Sequence, residues 1–291
     1  MTDITLLDGG MGQELLARVP DAPTGLWATQ VMVDHPGLVA DIHRDYFDAG
    51  ATIATANTYA LHHDRFTGTA QEGQLATLMQ RALEEAHAAK PAIGRIAGSI
   101  GPLTWSYKAE GLPAYREARE LYAEVAQHLA SRTDLLICET VASVEQARAS
   151  LDGARETDQP VWLSVTLDDE DGIRLRSGEH LNGLKDLDPD AWLANCSAPE
   201  AMPAALAIFA TWGKPFGAYA NGFKEITKAY LNPGSSTDAL PKRDLGPEIY
   251  ADHVLAWVES GATIVGGCCE TGPAHIREIA RRLTAAGHTI V

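Results

Sequence analysis

The amino-acid sequence predicts a single (β/α)8 barrel of the TIM type, which is an α/β fold. Short apolar runs rich in β-branched residues recur along the 291-residue chain, and longer stretches with helical periodicity lie between them. Eight such runs without a Gly- or Ser-rich linker favour one domain over residues 1–291. The competing prediction is a doubly wound open sheet, because that fold alternates strands and helices in the same way.

Each predicted strand is an apolar run of four or five residues. The eight runs are Ile4–Leu7, Thr52–Ala56, Arg95–Ser99, Asp134–Cys138, Val161–Val165, Ala191–Asn195, Pro215–Tyr219 and Thr263–Gly266. Each predicted helix is an amphipathic stretch, and several begin at a proline, whose fixed φ suits the first helical turn. The seven stretches are Pro36–Ala49, Gln71–Ala89, Pro113–Arg132, Ser143–Thr157, Pro199–Thr211, Pro247–Ser260 and Pro273–Ala286. The longest connections, residues 9–34 and 220–246, are predicted to be functional loops.

The charge balance excludes some classes of partner. The chain has 39 acidic and 23 basic residues and a formal net charge of −16. Nucleic acids and anionic membranes require a basic surface, so neither is expected as a partner. The N-terminal segment does not resemble a signal peptide, and no apolar run approaches the roughly 20 residues that span a bilayer. We therefore expect a soluble, cytoplasmic protein, and the sequence leaves its oligomeric state open.

Three of the four cysteines follow predicted strands. Cys196 comes directly after the sixth strand, and Cys268 and Cys269 follow the eighth. Side chains at the carboxyl ends of barrel strands meet on one face, where three thiolates suit a tetrahedral Zn²⁺ ion. Three protein ligands leave the fourth position for a substrate atom, as in catalytic zinc sites. The alternative is that each cysteine is a small buried apolar residue, and we keep that interpretation for Cys138.

Polar side chains follow three other strands. Asp8 follows the first strand, Glu139 the fourth and Asn221 the seventh. The two carboxylates can hold a substrate ammonium by charge-assisted hydrogen bonds. Each residue also has a structural alternative, since Asp8 can form a turn, Glu139 can cap a helix and Asn221 can form an Asx turn.

Several motifs resemble the zinc-dependent homocysteine S-methyltransferase family. These motifs are LLDGGMGQEL at residues 6–15, the Glu139-Thr140 pair, the Asn195-Cys196 pair and GGCC at residues 266–269. The similarity extends from about Thr5 to Ile276, and the GGCC motif with its upstream Asn-Cys is the most specific part. The sequence departs from the common pattern at Glu270 and after the second strand, which leaves the methyl donor undefined.

The resemblance implies the site and its reaction. Cys196, Cys268 and Cys269 would bind Zn²⁺, Asp8 and Glu139 would hold the ammonium group of the substrate, and Asn221 would be a fourth ligand or its neighbour. The substrates would be two small molecules, L-homocysteine and a methyl donor. The homocysteine thiol would enter the open zinc position as a thiolate and attack the methyl group. Independently of the resemblance, the backbone amides of Gly9, Gly10 and Met11 could receive the substrate carboxylate, because glycine lets the main chain approach a ligand closely.

The methyl donor is expected to be a small onium compound. S-methylmethionine or S-adenosylmethionine is favoured, and a betaine-type or corrinoid-linked donor is the alternative. Aromatic faces attract methylated cations, and four aromatic residues lie in the loops after the first three strands: Trp27, Tyr59, Trp105 and Tyr107. Trp27 and Tyr59 are the leading candidates for contact with the donor. Each of these aromatic residues can equally serve in packing.

Two other classes of function remain open from the sequence. A barrel hydrolase or lyase would use Asp8 and Glu139 as an acid–base pair and would not need metal. A metal-storage protein would surround Zn²⁺ with four protein ligands and leave no entry for a thiol.

Overall fold

Eight parallel strands form a closed barrel within the part of the chain that the structure describes. The structure is a computed structural model, and it describes residues 1–19, 26, 28–227, 230–231 and 240–291. The barrel strands are β1 (Asp3–Leu6), β2 (Ile53–Thr55), β3 (Arg95–Ile100), β4 (Leu135–Val141), β5 (Val161–Val165), β6 (Ala191–Asn195), β7 (Phe216–Tyr219) and β8 (Ile264–Val265). Each strand pairs with its successor, β8 pairs with β1, and a parallel bridge between Leu7 and Ile53 closes the ring.

The predicted barrel is therefore confirmed, and the open sheet is wrong. An open sheet would leave two strand edges unpaired, whereas here the backbone N–H of Asp8 donates to the carbonyl of Ile53 at 3.1 Å. The helices lie around the barrel. They are α1 (Met11–Arg18), α2 (Ala28–Asp34), α3 (Leu38–Asp48), α4 (His63–Phe66), α5 (Leu75–Ala89), α6 (Tyr115–Ala130), α7 (Val144–Ala154), α8 (Met202–Phe209), α9 (Pro247–Glu259) and α10 (Pro273–Ala285).

Three helices and one strand were not predicted. Helices α1 and α2 occupy most of the connection that the sequence analysis treats as a loop, and each buries one apolar side, with Leu15 and Met32 fully covered. The short helix α4 lies in the connection between β2 and α5, which was also predicted to have no helix. The added strand β9 (Thr289–Ile290) pairs in parallel with the start of β1, at the amino-terminal end of the barrel.

Two apolar layers support the barrel. The interior layer consists of small and branched side chains that point inward from the strands, including Leu7, Ile53, Ala97, Ile137 and Leu193. A larger layer fills the space between the strands and the helices. In the described residues, no helix is both long enough and apolar enough to cross a membrane. The packed interior leaves space for a ligand at the carboxyl ends of the strands.

Candidate metal centre and substrate cavity

A cavity of about 870 Å³, including its open mouth, lies at the carboxyl ends of the strands. It contains most of the predicted site residues. The predicted residues that line it are Asp8, Gly10, Met11, Tyr59, Glu139, Cys196, Cys268 and Cys269. Residues predicted from separate parts of the sequence therefore share one space, as expected for a barrel of this type.

The three predicted metal ligands lie together. The Sγ atom of Cys196 is 2.8 Å from that of Cys268 and 3.7 Å from that of Cys269, and all three sulfurs lie within 4.8 Å of one another. Sulfurs bound at about 2.3 Å to a tetrahedral zinc ion are roughly 3.8 Å apart, so Cys268 needs to move by about 1 Å to complete such a site. Among the described residues, no other group of His, Cys, Asp or Glu side chains converges in this way.

Backbone hydrogen bonds bring the two cysteine segments together. The N–H of Cys196 donates to the carbonyl of Tyr219, and the N–H of Cys268 donates to the carbonyl of Ala220. The N–H of Gly267 donates to the carbonyl of Asp8 at 2.9 Å. The end of β7 thus holds Cys196 on one side and Cys268 on the other, which explains how residues 72 positions apart in the chain come into contact.

Two glycines allow the end of β1 to approach the cysteine pair. A Cβ atom on Gly9 would lie 2.2 Å from the carbonyl oxygen of Thr271, and one on Gly10 would lie 2.7 Å from the carbonyl oxygen of Cys268. Both contacts are with backbone, which cannot move aside as a flexible side chain can. The Gly9-Gly10 pair is therefore needed for close packing against the candidate metal centre.

Tyr107 is a site residue whose role the sequence analysis missed. Its hydroxyl lies 2.9 Å from the Sγ of Cys196. Burial raises the pKa of the Tyr107 phenol well above its usual value, so the hydroxyl stays protonated. It can therefore donate a hydrogen bond to the Cys196 sulfur. Burial by itself raises the pKa of the Cys196 thiol, but hydrogen bonds from Cys268, Cys269 and Tyr107 hold that pKa well below its usual value. Cys196 is accordingly suited to act as a thiolate ligand.

Asp8 is held by the neighbouring strand β2. Its two carboxylate oxygens accept hydrogen bonds of 2.8 Å from the backbone N–H and the hydroxyl of Thr55. Burial raises the pKa of Asp8 to about 7, and the nearby charge of Glu139 adds to the effect. The buried His43 ring has its Nδ1 3.9 Å from Asp8, but burial lowers the pKa of His43 to about 3, so it brings no positive charge.

Glu139 is held by side chains from two other strands. One carboxylate oxygen accepts a hydrogen bond from the hydroxyl of Ser99, and the other accepts one of 2.9 Å from the hydroxyl of Tyr219. Burial raises the pKa of Glu139 to about 7. Two buried carboxyl groups with raised pKa values thus face one cavity, and a ligand cation would stabilise their ionised forms.

Asn195 fixes the rim next to Cys196. Its side-chain oxygen accepts hydrogen bonds from the backbone N–H of Thr140 and the hydroxyl of Ser164, and its amide donates to the hydroxyl of Thr140. Thr140 and Cys196 both have positive φ angles, 58° and 51°. Such angles are rare in residues other than glycine and often occur at functional sites, where surrounding bonds maintain them. Asn195 supplies such bonds to Thr140, whereas Cys196 is held by its backbone N–H, which donates to the carbonyl of Tyr219, and by its carbonyl, which accepts from the hydroxyl of Thr166.

The remaining predicted residues have different positions. The side-chain oxygen of Asn221 accepts a 3.1 Å hydrogen bond from the backbone N–H of Phe223, and Asn221 is not among the residues that line the cavity. Tyr59 lines the cavity and shares a 2.8 Å hydrogen bond with Ser106. Trp105 does not line the cavity, and its indole N–H donates a hydrogen bond to the backbone carbonyl of Tyr230. Trp27 lies outside the described residues.

The first turn of α1 also borders the cavity. The N–H of Gly10 donates to the carbonyl of Thr271, so this amide is not available to a ligand. Met11 and Gly12 begin the helix and line the cavity, and first-turn N–H groups have no acceptor within a helix. The expected contact with a substrate carboxylate therefore moves from Gly10 towards Met11 and Gly12.

A closed parallel barrel with this cavity, lined by three cysteine sulfurs and two carboxyl groups at the carboxyl ends of the strands, defines the chain as a barrel enzyme with a candidate metal centre. The family model described as homocysteine S-methyltransferase matches residues 5–283. The chain belongs to the homocysteine S-methyltransferase family, whose reaction is methyl transfer to homocysteine.

Individual relatives match almost the whole chain. Homocysteine S-methyltransferase from Escherichia coli is 30% identical, and the match covers 96% of this chain and 95% of the relative. Homocysteine S-methyltransferase 4 from Zea mays is 27% identical over 97% of this chain and 90% of the relative. The crystal structure of the metallated form of the homocysteine methyltransferase MmuM from Escherichia coli superposes with a TM-score of 0.80 at 26% identity, over 97% and 96% of the two chains.

Proposed function

We propose that the chain transfers a methyl group from a small onium donor to the thiol of L-homocysteine held at a Zn²⁺ ion. S-methylmethionine or S-adenosylmethionine is the favoured donor. The observation that carries this proposal is the composition of the cavity, which combines three cysteine sulfurs, two buried carboxyl groups and four tyrosines. Each of these groups suits one part of the reaction.

The donor set fits Zn²⁺. Cysteine sulfurs favour zinc over hard cations such as Mg²⁺, and three of them leave one tetrahedral position open. When bound, Zn²⁺ lowers the pKa of a thiol that takes this position, so the substrate sulfur is nucleophilic at neutral pH. The metallated state named for the Escherichia coli structure supports metal binding in a close structural neighbour.

The acceptor amino acid is proposed to bind between Asp8 and Glu139 at its ammonium end. Both carboxylates are held by hydrogen bonds from other strands of the barrel, so little reorientation is needed to bind an ammonium group. The substrate carboxylate would meet the N–H groups of Met11 and Gly12 at the start of α1, where the helix dipole is positive. These two contacts would orient the homocysteine sulfur towards the three cysteines.

The donor is proposed to be a cation because the cavity attracts positive charge. Within the described part of the chain, no Lys, Arg or His side chain lines the cavity, whereas the rings of Tyr59, Tyr107, Tyr219 and Tyr230 do. Aromatic faces bind methylated cations, and the carboxylates add a negative field. In the reaction the homocysteine sulfur bonds to the methyl carbon as the methyl–sulfonium bond breaks. The bonding electrons return to the donor sulfur, which leaves as a neutral thioether.

A donor comparison tests the proposal. Zinc-loaded protein is incubated with homocysteine and, in separate reactions, with S-methylmethionine, S-adenosylmethionine, glycine betaine or methylcobalamin, and methionine is measured. We expect a sulfonium donor to give the highest kcat/KM. A higher value with betaine would identify the alternative onium donor, and methionine formed with methylcobalamin alone would contradict a direct onium mechanism.

An acid–base reaction by Asp8 and Glu139 is the second candidate. The observation in its favour is that both carboxyl groups have a pKa raised to about 7, which suits proton transfer near neutral pH. This reaction would survive removal of the metal, whereas the methyl transfer would not. The methionine assay with and without a chelator separates the two, because methyl transfer gives methionine that is lost on chelation, whereas a hydrolase or lyase gives no methionine in either case.

A further inference from the structure

Tyr107 connects the metal-ligand sulfur of Cys196 to a charged group outside the cavity. The Tyr107 backbone has a positive φ of 64°, and its hydroxyl lies 2.9 Å from the Cys196 sulfur. The ring of Tyr107 packs edge-on against Tyr230, with centroids 5.8 Å apart. The guanidinium carbon of Arg176 lies over the ring of Tyr107, 5.5 Å from the ring centroid, which is within the range of a cation–π interaction.

Arg176 is itself held in place. Its Nη2 forms a 2.8 Å ion pair with Asp169, and the side chains of both residues are mostly buried, at 16% and 23% exposure. The other carboxylate oxygen of Asp169 accepts a 2.7 Å hydrogen bond from the backbone N–H of Ala198, two residues after Cys196. The loop after β5 and the loop after β6 are therefore joined around the Tyr107 ring.

A cation over a phenol ring draws electron density from the ring and strengthens the hydroxyl as a hydrogen-bond donor. A hydrogen bond to a metal-bound thiolate in turn reduces the electron density that the sulfur gives to the metal and fixes its orientation. We propose that Arg176 and Tyr107 form a positioning pair that holds Cys196 in its ligand orientation and tunes its sulfur. This inference rests on the metal site of the proposed function.

Cobalt substitution measures this tuning directly, because thiolate-to-Co²⁺ charge-transfer bands report the energy of the sulfur electrons. The variants are Tyr107→Phe, Arg176→Gln, Arg176→Lys and the double variant Tyr107→Phe/Arg176→Gln. Arg174→Gln is the matched control, because Arg174 lies in the same loop but is about half exposed and pairs with Asp171. Each protein is loaded with Co²⁺ for the spectra and with Zn²⁺ for transfer to a competing chelator.

We expect Tyr107→Phe to move the charge-transfer band to lower energy, because the sulfur loses the hydrogen bond that withdraws its electron density. Zn²⁺ binding should weaken by about tenfold, the lower end of the effect of removing a hydrogen-bond partner from a metal ligand. Arg176→Gln should shift the band in the same direction by a smaller amount, and Arg176→Lys should retain most of the original band. Because Arg176 acts through Tyr107, the double variant should match Tyr107→Phe alone. Arg174→Gln should match the unchanged protein.

Several results would overturn the inference. An unchanged band in Tyr107→Phe would show that the hydroxyl does not act on the sulfur, and additive effects in the double variant would show that Arg176 acts independently of Tyr107. Circular dichroism of each variant identifies any loss of folding, and Arg176→Lys, which keeps the charge, tests the pair if Arg176→Gln unfolds. If the unchanged protein takes up neither Co²⁺ nor Zn²⁺, the proposed function fails together with this inference. If it binds both, only the inference is at stake.

Discussion

The hydroxyl of Tyr219 on β7 donates a 2.9 Å hydrogen bond across the barrel to the carboxylate of Glu139 on β4. Two strands, β5 and β6, separate these residues in the sheet. The bond therefore spans the barrel interior and fixes the carboxylate at the cavity floor. Among the described residues that line the cavity, none is Lys, Arg or His, so no cationic side chain of the lining offsets the charge of Glu139. Burial raises the pKa of Glu139 to about 7.

Glu139→Gln should weaken homocysteine binding and stabilise the protein. The amide fits the site, because the hydroxyls of Ser99 and Tyr219 can accept as well as donate hydrogen bonds. The KM for homocysteine should rise by about tenfold to a hundredfold, as expected for loss of a charged contact of roughly 1.5–3 kcal/mol. At pH 8 the melting temperature should rise by a few degrees, because a buried charge is removed.

The pH dependence of this stability has a definite sign. The pKa of Glu139 is higher in the folded protein than its ordinary value of 4.5, so its contribution to stability is complete below pH 4.5 and is lost as pH rises through about 7. The variant should therefore exceed the unchanged protein by about 1–3 kcal/mol in free energy of unfolding at pH 8. The difference should shrink at pH 5. If Glu139→Gln were less stable than the unchanged protein at pH 8, the prediction that ionised Glu139 destabilises the fold would be wrong.

Binding of the product methionine should weaken as pH falls from 8 to 6. Methionine has the same ammonium group as homocysteine but no thiol proton, so calorimetric titration reports on Asp8 and Glu139 rather than on the substrate sulfur. Each carboxyl has a pKa of about 7 and binds the ammonium when ionised. We expect Kd to rise by about tenfold or more over this range. A flat profile would mean that neither carboxyl contacts the ammonium group.

Cys268→Ala should lose both the metal and the activity. Its sulfur lies 2.8 Å from that of Cys196, and two sulfurs cannot replace the three-ligand site. Bound zinc, measured by atomic absorption, should fall from about one ion per chain to near zero, and turnover should fall by about a thousandfold or more. Cys138→Ala is the control, because Cys138 is buried in β4 and bonds to the carbonyl of Ser150. It should keep its zinc.

Gly10→Ala should weaken metal binding although it replaces none of the three metal-ligand cysteines. The added Cβ would lie 2.7 Å from the carbonyl oxygen of Cys268, and the segment carrying the cysteine pair must then shift. Chelator competition should report at least about tenfold weaker zinc binding. Gly246→Ala serves as the comparison, since a Cβ at Gly246 meets nothing within 4 Å. Equal zinc affinity in both variants would show that the close approach at Gly10 is not required.

Much of the fold can be predicted from the sequence because short apolar runs alternate regularly with longer stretches of helical periodicity. Each of the eight predicted strands overlaps an observed one. The exceptions are elements whose signal is short or whose partner is distant. Strand β9 has only two residues, Thr289 and Ile290, and its position beside β1 depends on tertiary packing. Helix α1 follows a glycine pair that reads as a turn, although the buried Leu15 anchors it.

The candidate site was predictable where residue type and position at a strand end coincide. This holds for Asp8, Glu139 and the cysteines, which the structure brings to one cavity. Tyr107 was noted only as an aromatic residue in a loop, because its contact with Cys196 depends on a backbone conformation with positive φ that no residue pattern specifies. Arg176 has no distinguishing signal either, since a charged loop predicts solvent exposure.

The hydrogen bonds that hold Asp8 and Glu139 also have a consequence for the entropy of ligand binding. Thr55, Ser99 and Tyr219 restrict the rotamers of the two carboxylates through hydrogen bonds within the barrel itself. A side chain that must be immobilised on binding costs about 0.5–1.5 kcal/mol, and here that ordering accompanies folding instead. An amino acid therefore enters a receptor whose acidic groups have little conformational freedom left to lose.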